Sequence, residues 1–304
     1  MQDKEIISLK QRKKELELRL SQLNSKQQAT KTLLNSVYGA FGSKHSLIGD
    51  DDIASSITLT GQSAIRKSRD IFAKFFTEKT GITDEEVIDD HLVAGDTDSL
   101  FVSMAGMGIN FFEDKRVTKE GYQIVSDFQK YLNVKIREWS EKTLLSTDNR
   151  LEFKREAIAD VGVFTQKKRY VIHILDNKGI PCDKWKYVGV EIVQASIPKF
   201  IKKYIKDIIH NIIISKDSGK IDKMFNQSKI DFCATEVSNI AITKGISNLE
   251  KYSEKCDELT TCKAMPINAK AAYFYNYFLK EFKIENIYEP INSGDKIKIV
   301  YIKN

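Results

Sequence analysis

Two aspartates one residue apart, Asp96 and Asp98, stand in the stretch Ala94-Gly95-Asp96-Thr97-Asp98-Ser99, between short apolar runs. Val93 and Ala94 lead in and Leu100, Phe101 and Val102 lead out, so Gly95 to Ser99 reads as a tight β-hairpin turn. Two carboxylates at a backbone bend offer oxygen ligands to a hard cation such as Mg²⁺. A lone pair of this kind is more often an Asx-rich turn with solvated acids. Its meaning therefore rests on companions elsewhere in the chain.

Three further groups of residues could do chemistry. Gln27, Lys31, Asn35 and Tyr38 fall at i, i+4, i+8 and i+11, which is one face of a helix. An ammonium, an amide and a phenol on one stripe can meet a phosphate, a sugar and a base in succession. Lys167-Lys168-Arg169-Tyr170 leads into a strand from Val171 to Leu175. Cations beside an aromatic at a strand start suit backbone phosphates, although a basic strand end is also common without any ligand. Lys199, Lys202, Lys203 and Lys206 share one helical face, with Ile201, Ile205, Ile208 and Ile212 opposite, so one side can pack while the other tracks a phosphate backbone or is simply solvated.

The elements that must carry these groups are legible from periodicity. Leu9, Leu16, Leu20 and Leu23 mark an amphipathic helix over 5–23, ringed by Lys10, Arg12, Lys13, Lys14 and Arg19. Asn24-Ser25 predicts a break, and a second helix from near Ser25 to Gly39 makes the pair an αα-hairpin. A helix over 53–76 has Ile57, Ile65, Phe72 and Phe76 as core candidates, and a linker follows at Thr80-Gly81-Ile82. Asp84-Glu85-Glu86 reads as a helix-capping or solvent-facing acidic turn. Residues 119–145 form an amphipathic helix with Val125, Phe128, Leu132 and Trp139 in a packing role. Near Gly189 a strand ends, and a helix opens with Ser196 as a cap and Pro198 in its first turn. A later helix carries Tyr273, Phe274, Tyr275, Tyr277 and Phe278, expected in the core, and Ile297 to Ile302 is a closing strand.

Composition narrows the function classes. The chain has 304 residues, 41% of them hydrophobic, enough for two or three structural units each with a core. A net charge of +6, from 48 Lys and Arg against 42 Asp and Glu, permits a polyanionic partner without demanding one. Cys182, Cys233, Cys256 and Cys262 form no CxxC pair and no zinc cluster with the four histidines, and read as reduced thiols of a cytoplasmic protein. The most apolar run, Ile208 to Ile214, contains His210 and Asn211 and is too short to span a bilayer. No membrane role is expected.

Taken together, these strings resemble family B DNA polymerases, and within them the polymerases of T-even-like phages and their split forms. Gly95-Asp96-Thr97-Asp98-Ser99 resembles motif C; Lys31-x-x-x-Asn35-Ser36-x-Tyr38-Gly39 resembles motif B; Lys154-Arg155-Glu156-Ala157-Ile158 and Lys167-Lys168-Arg169-Tyr170 resemble the segments that follow. The resemblance runs from about residue 9 to the end, in family order. It implies an α+β partial right hand: helical-hairpin fingers over 1–43, an antiparallel-sheet palm with helices over 44–193, and a mostly helical thumb over 194–304. It implies two Mg²⁺ ions, with Asp98 as direct ligand of both, Asp96 accessory and Glu156 near the metal site. Lys31, with Arg12, Asn35 and Tyr38, would hold the incoming nucleotide, Lys31 counting among the catalytic residues. Lys168, Arg169 and Tyr170 would hold the primer terminus, and Lys199, Lys202, Lys203 and Lys206 the duplex.

Two departures qualify the match. The family usually shows Arg and Lys four residues apart in the first fingers helix, but Arg12 is followed by Leu16, so Lys14 or Arg19 is left to make the second triphosphate contact. The motif A aspartate with its SLYPS-like segment is not found, nor is a proofreading domain. The resemblance thus implies the C-terminal part of a polymerase divided between two chains, acting on primer-template DNA and dNTPs with an N-terminal partner that brings motif A and the exonuclease. A non-catalytic DNA-binding remnant is the alternative.

Overall fold

A computed structural model of the protein describes residues 2–215, 217–253 and 265–301. Cys256, Cys262 and the end of the expected closing strand at Ile302 lie outside the described residues. The architecture is mixed helix and sheet, with small antiparallel sheets. The chain divides into two compact units, Met1–Gly108 with Asp127–Phe153, and Ile109–Ser126 with Lys154–Asn304. Among the described residues no helix is long and apolar enough to cross a membrane.

The first unit opens with α1 (Gln2–Phe41), a single continuous helix. The expected break at Asn24-Ser25, and with it the helical hairpin, is absent. The reason is energetic: Asn and Ser cost only tenths of a kcal/mol in a helix, and neither Gly nor Pro interrupts this segment. Thr30, Thr32 and Ser36 turn their hydroxyls back onto the carbonyls four residues earlier, at 2.9, 3.0 and 2.8 Å, rather than competing for a bend. Leu9, Leu16, Leu20 and Leu23 all remain exposed.

Helix α2 (Asp51–Thr80) starts at Asp50, whose carboxylate accepts from the amides of Asp52 and Ile53, and stops at Gly81 in the left-handed conformation. Its buried face, Ala64, Ser68, Ile71, Phe72, Phe75 and Phe76, has helical spacing. Phe72 and Phe75 meet Phe128 at ring separations of 5.3 and 5.2 Å, and Leu132 and Ile136 are buried further along α4 (Lys119–Thr143). Each such side chain contributes about 1.5–3 kcal/mol on burial. Ile57, an expected core residue, is exposed instead, because it lies before the stretch that α4 covers. Helix α3 (Glu85–His91) is capped by Asp84, which accepts from the Glu86 amide, as the acidic turn suggested.

The second unit holds the hairpin β3–β4 (Phe112–Glu113, Arg116–Val117), the first turns of α4, and the antiparallel meander β5–β6–β7 (Ala157–Gln166, Arg169–Asn177, Ile180–Val188). Central strand β6 is buried from Tyr170 to Asp176. A 3-10 turn (Glu191–Val193) leads to α5 (Lys199–Ile214), which is followed by α6 (Ser218–Ala234) and α7 (Val237–Ile240). Pro198 itself occupies the cap of α5 with no side-chain cap bond, so Ser196 does not play that part. The fixed proline φ starts the helix without a hydroxyl acceptor.

The chain closes with β8 (Ile242–Gly245) paired to β9 (Lys296–Ile299), around α8 (Leu249–Ser253) and α9 (Ile267–Glu281). Ile246, Leu249, Ala269 and Ala272 form the core there, with Tyr273 packed against it. Tyr275, Tyr277 and Phe278 are exposed, contrary to the expectation of an aromatic core. The small alanines, not the aromatics, are what let α9 approach its neighbours.

Candidate nucleotidyl-transfer and nucleic-acid site

The hairpin expected around Asp96 is present: β1 (Ala94–Asp96) and β2 (Ser99–Phe101) pair antiparallel with Ala94 opposite Phe101, Gly95 opposite Leu100 and Asp96 opposite Ser99. That register leaves a two-residue turn, Thr97-Asp98, with Thr97 at φ 30°. The turn is tied from within. Ser99 Oγ donates to the Asp96 carbonyl at 3.2 Å, and Thr97 Oγ1 donates to Asp96 Oδ1 at 3.1 Å. Asp96 is half-buried and Asp98 exposed. The exit of β2 is pinned to α3, since the Ser103 amide donates to the His91 carbonyl at 2.8 Å and the His91 ring meets the Ser103 carbonyl at 3.0 Å. The His91 ring in turn lies 4.2 Å from Phe76, so the buried aromatic core carries the hairpin.

Two carboxylates on one turn are oxygen donors of the class that Mg²⁺ selects. Among the described residues no group of three or more His, Cys, Asp or Glu side chains is arranged to hold a metal ion. Glu156, expected near the metal, belongs to the second unit, is exposed, and lends its carbonyl to the Lys178 amide at 2.8 Å.

On α1, Lys31 and Asn35 line a depression of ≈ 470 Å³ with Leu23, Lys26, Gln27, Thr30 and Leu34. Tyr38 is exposed on the same helix. Gln27, Lys31, Asn35 and Tyr38 are all exposed along α1. Arg12 pairs with Glu15 at 3.3 Å, one turn away on a fully solvated part of the helix.

In the second unit Lys167 and Lys168 form the two-residue turn between β5 and β6, both exposed, with Lys168 at φ 61°. Tyr170 is buried and stacks on Phe164 at 5.1 Å. Arg169 is bonded to Glu191, and its Nε is buried without a partner. The Glu191 carboxyl is held below the usual range by a backbone hydrogen bond and by that guanidinium. Lys199, Lys203 and Lys206 are exposed along α5, while Lys202 is half-buried. Lys206 Nζ sits 5.4 Å above the Tyr187 ring.

Two structural clusters around this sheet were not anticipated. Asp176 is wholly buried at the end of β6, where Arg155 Nη2 approaches it at 2.9 Å, the Tyr122 hydroxyl donates at 2.8 Å and the Gly179 amide at 3.0 Å. Burial, then the Asp176 hydrogen bond, push the Tyr122 phenol above its ordinary range. His173, mid-strand, lies 2.8 Å from both Asp160 and Asp183, and stacks through Trp185 (4.7 Å) to His210 on α5 (4.1 Å). The hydrogen bond from His173 is the main cause that lowers the Asp183 carboxyl. The available signal was a His and an Asp inside an otherwise apolar strand, since a buried polar residue needs a partner.

Comparison with known proteins follows the same lines. The family model for DNA polymerase family B matches residues 4–304. The DNA-directed DNA polymerase of Enterobacteria phage T4 is 26% identical over 299 residues, covering 92% of this chain and 32% of the relative. That of Escherichia phage RB69 is 25% identical over 298 residues, covering 90% and 31%. The DNA polymerase catalytic subunit of Human herpesvirus 7 (strain JI) is 27% identical over 272 residues, covering 85% and 23%. The chain thus spans about a third or less of the length of these relatives. With that family model matched over nearly its whole length, the chain belongs to DNA polymerase family B.

Proposed function

We propose that the chain is the C-terminal subunit or fragment of a split DNA-directed DNA polymerase, which transfers nucleotides from dNTPs to a primer 3′-hydroxyl. The observation that carries this is the Asp96–Asp98 hairpin, a pinned turn with one exposed carboxylate and one half-buried one. In this reading 1–43 serves as fingers, 44–193 as palm and 194–304 as thumb. Asp98 and Asp96 would hold Mg²⁺, and the motif A aspartate would come from a partner chain that also carries the exonuclease. Bound magnesium would supply charge neutralisation at the phosphates and lower the barrier to attack by the 3′-hydroxyl. Lys31 neutralises the triphosphate, Asn35 bonds phosphate and sugar, Tyr38 packs beneath the nucleotide, and Arg12 with Lys14 or Arg19 adds charge. Catalysis then consists of positioning and electrostatics. Lys168 and the α5 lysines bind phosphates, with Tyr170 buttressing the turn from the buried side. The exposed leucines of α1 support association with another chain, because an apolar stripe of this length is otherwise left in water.

The test is primer extension with Mg²⁺ and four dNTPs, using the chain alone, the chain with its N-terminal partner, and that mixture carrying Asp98→Ala. Extension by the wild-type mixture alone is the expected result. A mixture that assembles on DNA yet stays inactive would favour the non-catalytic remnant. Extension by the chain alone would overturn the requirement for a partner.

A further inference from the structure

Arg169 lies in the basic stretch expected to grip DNA, yet its guanidinium is engaged elsewhere. A guanidinium grips a phosphate best through two parallel N–H groups. In Arg169 the Nη2 edge is taken by Glu191 and Nε is buried. The edge best suited to a phosphate is therefore spent on a pair within the protein, at its surface.

What the pair joins is informative. Arg169 begins β6, directly after the exposed turn Lys167-Lys168. Glu191 begins the 3-10 turn, which contacts α5 and is anchored by Ile192, 3% exposed. Beside the pair, Gly189 at φ 65° runs so close to the hairpin turn that a Cβ there would lie 2.1 Å from the Lys168 carbonyl oxygen. Backbone contact and ion pair thus bind the same two segments at adjacent points. One bears the turn lysines and the other leads, eight positions on, to Lys199.

We infer that the Arg169–Glu191 pair is a strut that holds the Lys167-Lys168 turn in register with the lysine face of α5, so that both meet one nucleic-acid backbone; Arg169 and Glu191 are positioning residues, not phosphate contacts. The inference rests on the nucleic-acid-binding part of the proposed function. Its consequence for charge is counterintuitive. Removing a carboxylate from a basic surface should strengthen binding to a polyanion, whereas removing a strut should weaken it.

The experiment measures primer-template affinity against salt for the wild type, Arg169→Gln, Glu191→Gln and the exchanged pair Arg169→Glu with Glu191→Arg. Amide hydrogen exchange over residues 189–198 is followed in the free proteins. The strut predicts that both single variants bind several-fold more weakly and exchange several-fold faster over that segment. The exchanged pair should restore both, with the wild-type salt slope. Glu191→Gln binding more tightly, or a slope of log K against log salt that falls by about 0.9 in the exchanged pair, would make Arg169 a phosphate ligand and overturn the inference. Wild-type protein that does not bind primer-template would sink the binding reading instead. Unchanged hydrogen exchange in the single variants would sink the strut whether or not DNA binds.

Discussion

Removal of the Asp176 carboxylate is the most demanding test of how the second unit is held together. Asp176 is fully buried and accepts from three sources: Arg155 at 2.9 Å, Tyr122 at 2.8 Å and the Gly179 amide at 3.0 Å. Arg155 is itself only 21% exposed, so Asp176→Ala takes from a largely enclosed guanidinium the carboxylate at 2.9 Å, and from Tyr122 and Gly179 the acceptor they share. Breaking a buried pair from one side costs about 3–5 kcal/mol. At a urea slope of ~2 kcal/mol per M, the midpoint falls by roughly 2 M. Asp176→Asn keeps the volume and one acceptor, so it should cost less, near the ~1.5–3 kcal/mol of hydrogen bonds to a charged group. The double variant Arg155→Met with Asp176→Leu should recover much of the loss, since an apolar pair of similar volume replaces a buried ion pair at little cost. Equilibrium urea unfolding followed by far-ultraviolet circular dichroism measures all three. An Asp176→Ala variant within about 1 kcal/mol of the wild type would refute the reasoning, because Arg155 would then escape to water and the cluster would be ornamental. An apolar double variant no better than the alanine variant would refute it equally.

Three further outcomes are expected. Gly189→Ala places a Cβ 2.1 Å from the Lys168 carbonyl oxygen at a φ of 65°, so it should loosen the β5–β6 turn, seen as faster amide exchange at 166–170; unchanged exchange would contradict the close approach. Burial, the leading cause, depresses the His210 pKa, so the folded state resists a proton that the unfolded chain takes up below about pH 6.5. Stability from this group is present above that pH and lost as the pH falls through the lower folded value. His210→Phe keeps a ring against Trp185 and should flatten the fall in urea midpoint between about pH 7 and 5; an unaltered slope would acquit His210. Replacing Lys199 and Lys203 by Ala should weaken primer-template binding and reduce the salt slope by up to ~0.9 for each phosphate no longer neutralised, whatever the DNA sequence; a slope that does not move would make α5 a merely solvated face.

Local chemistry determined much of this protein. The Asp96–Asp98 turn could be placed from its sequence because a two-residue hairpin constrains backbone and flanking apolar residues within a span of eight positions. The body of α2 followed from apolar periodicity over 53–76, although the helix runs on to the Asp50 cap and the left-handed Gly81, and the basic face of α5 followed from a repeat of 3.6. Family membership was readable from the same motifs, because they fix residue type as well as spacing. Tertiary structure decided what local signals leave degenerate. Aromatic residues on α9 fit a core or a surface equally by periodicity, and only the close packing of Ala269 and Ala272 put Tyr275, Tyr277 and Phe278 outside. Arg169 found Glu191 22 positions away, and Tyr122 found Asp176 54 positions away. No pattern in the sequence announces such pairs, because a charge or hydroxyl is satisfied by whichever partner the folded backbone brings within about 3 Å, and that depends on the free energy of the whole chain.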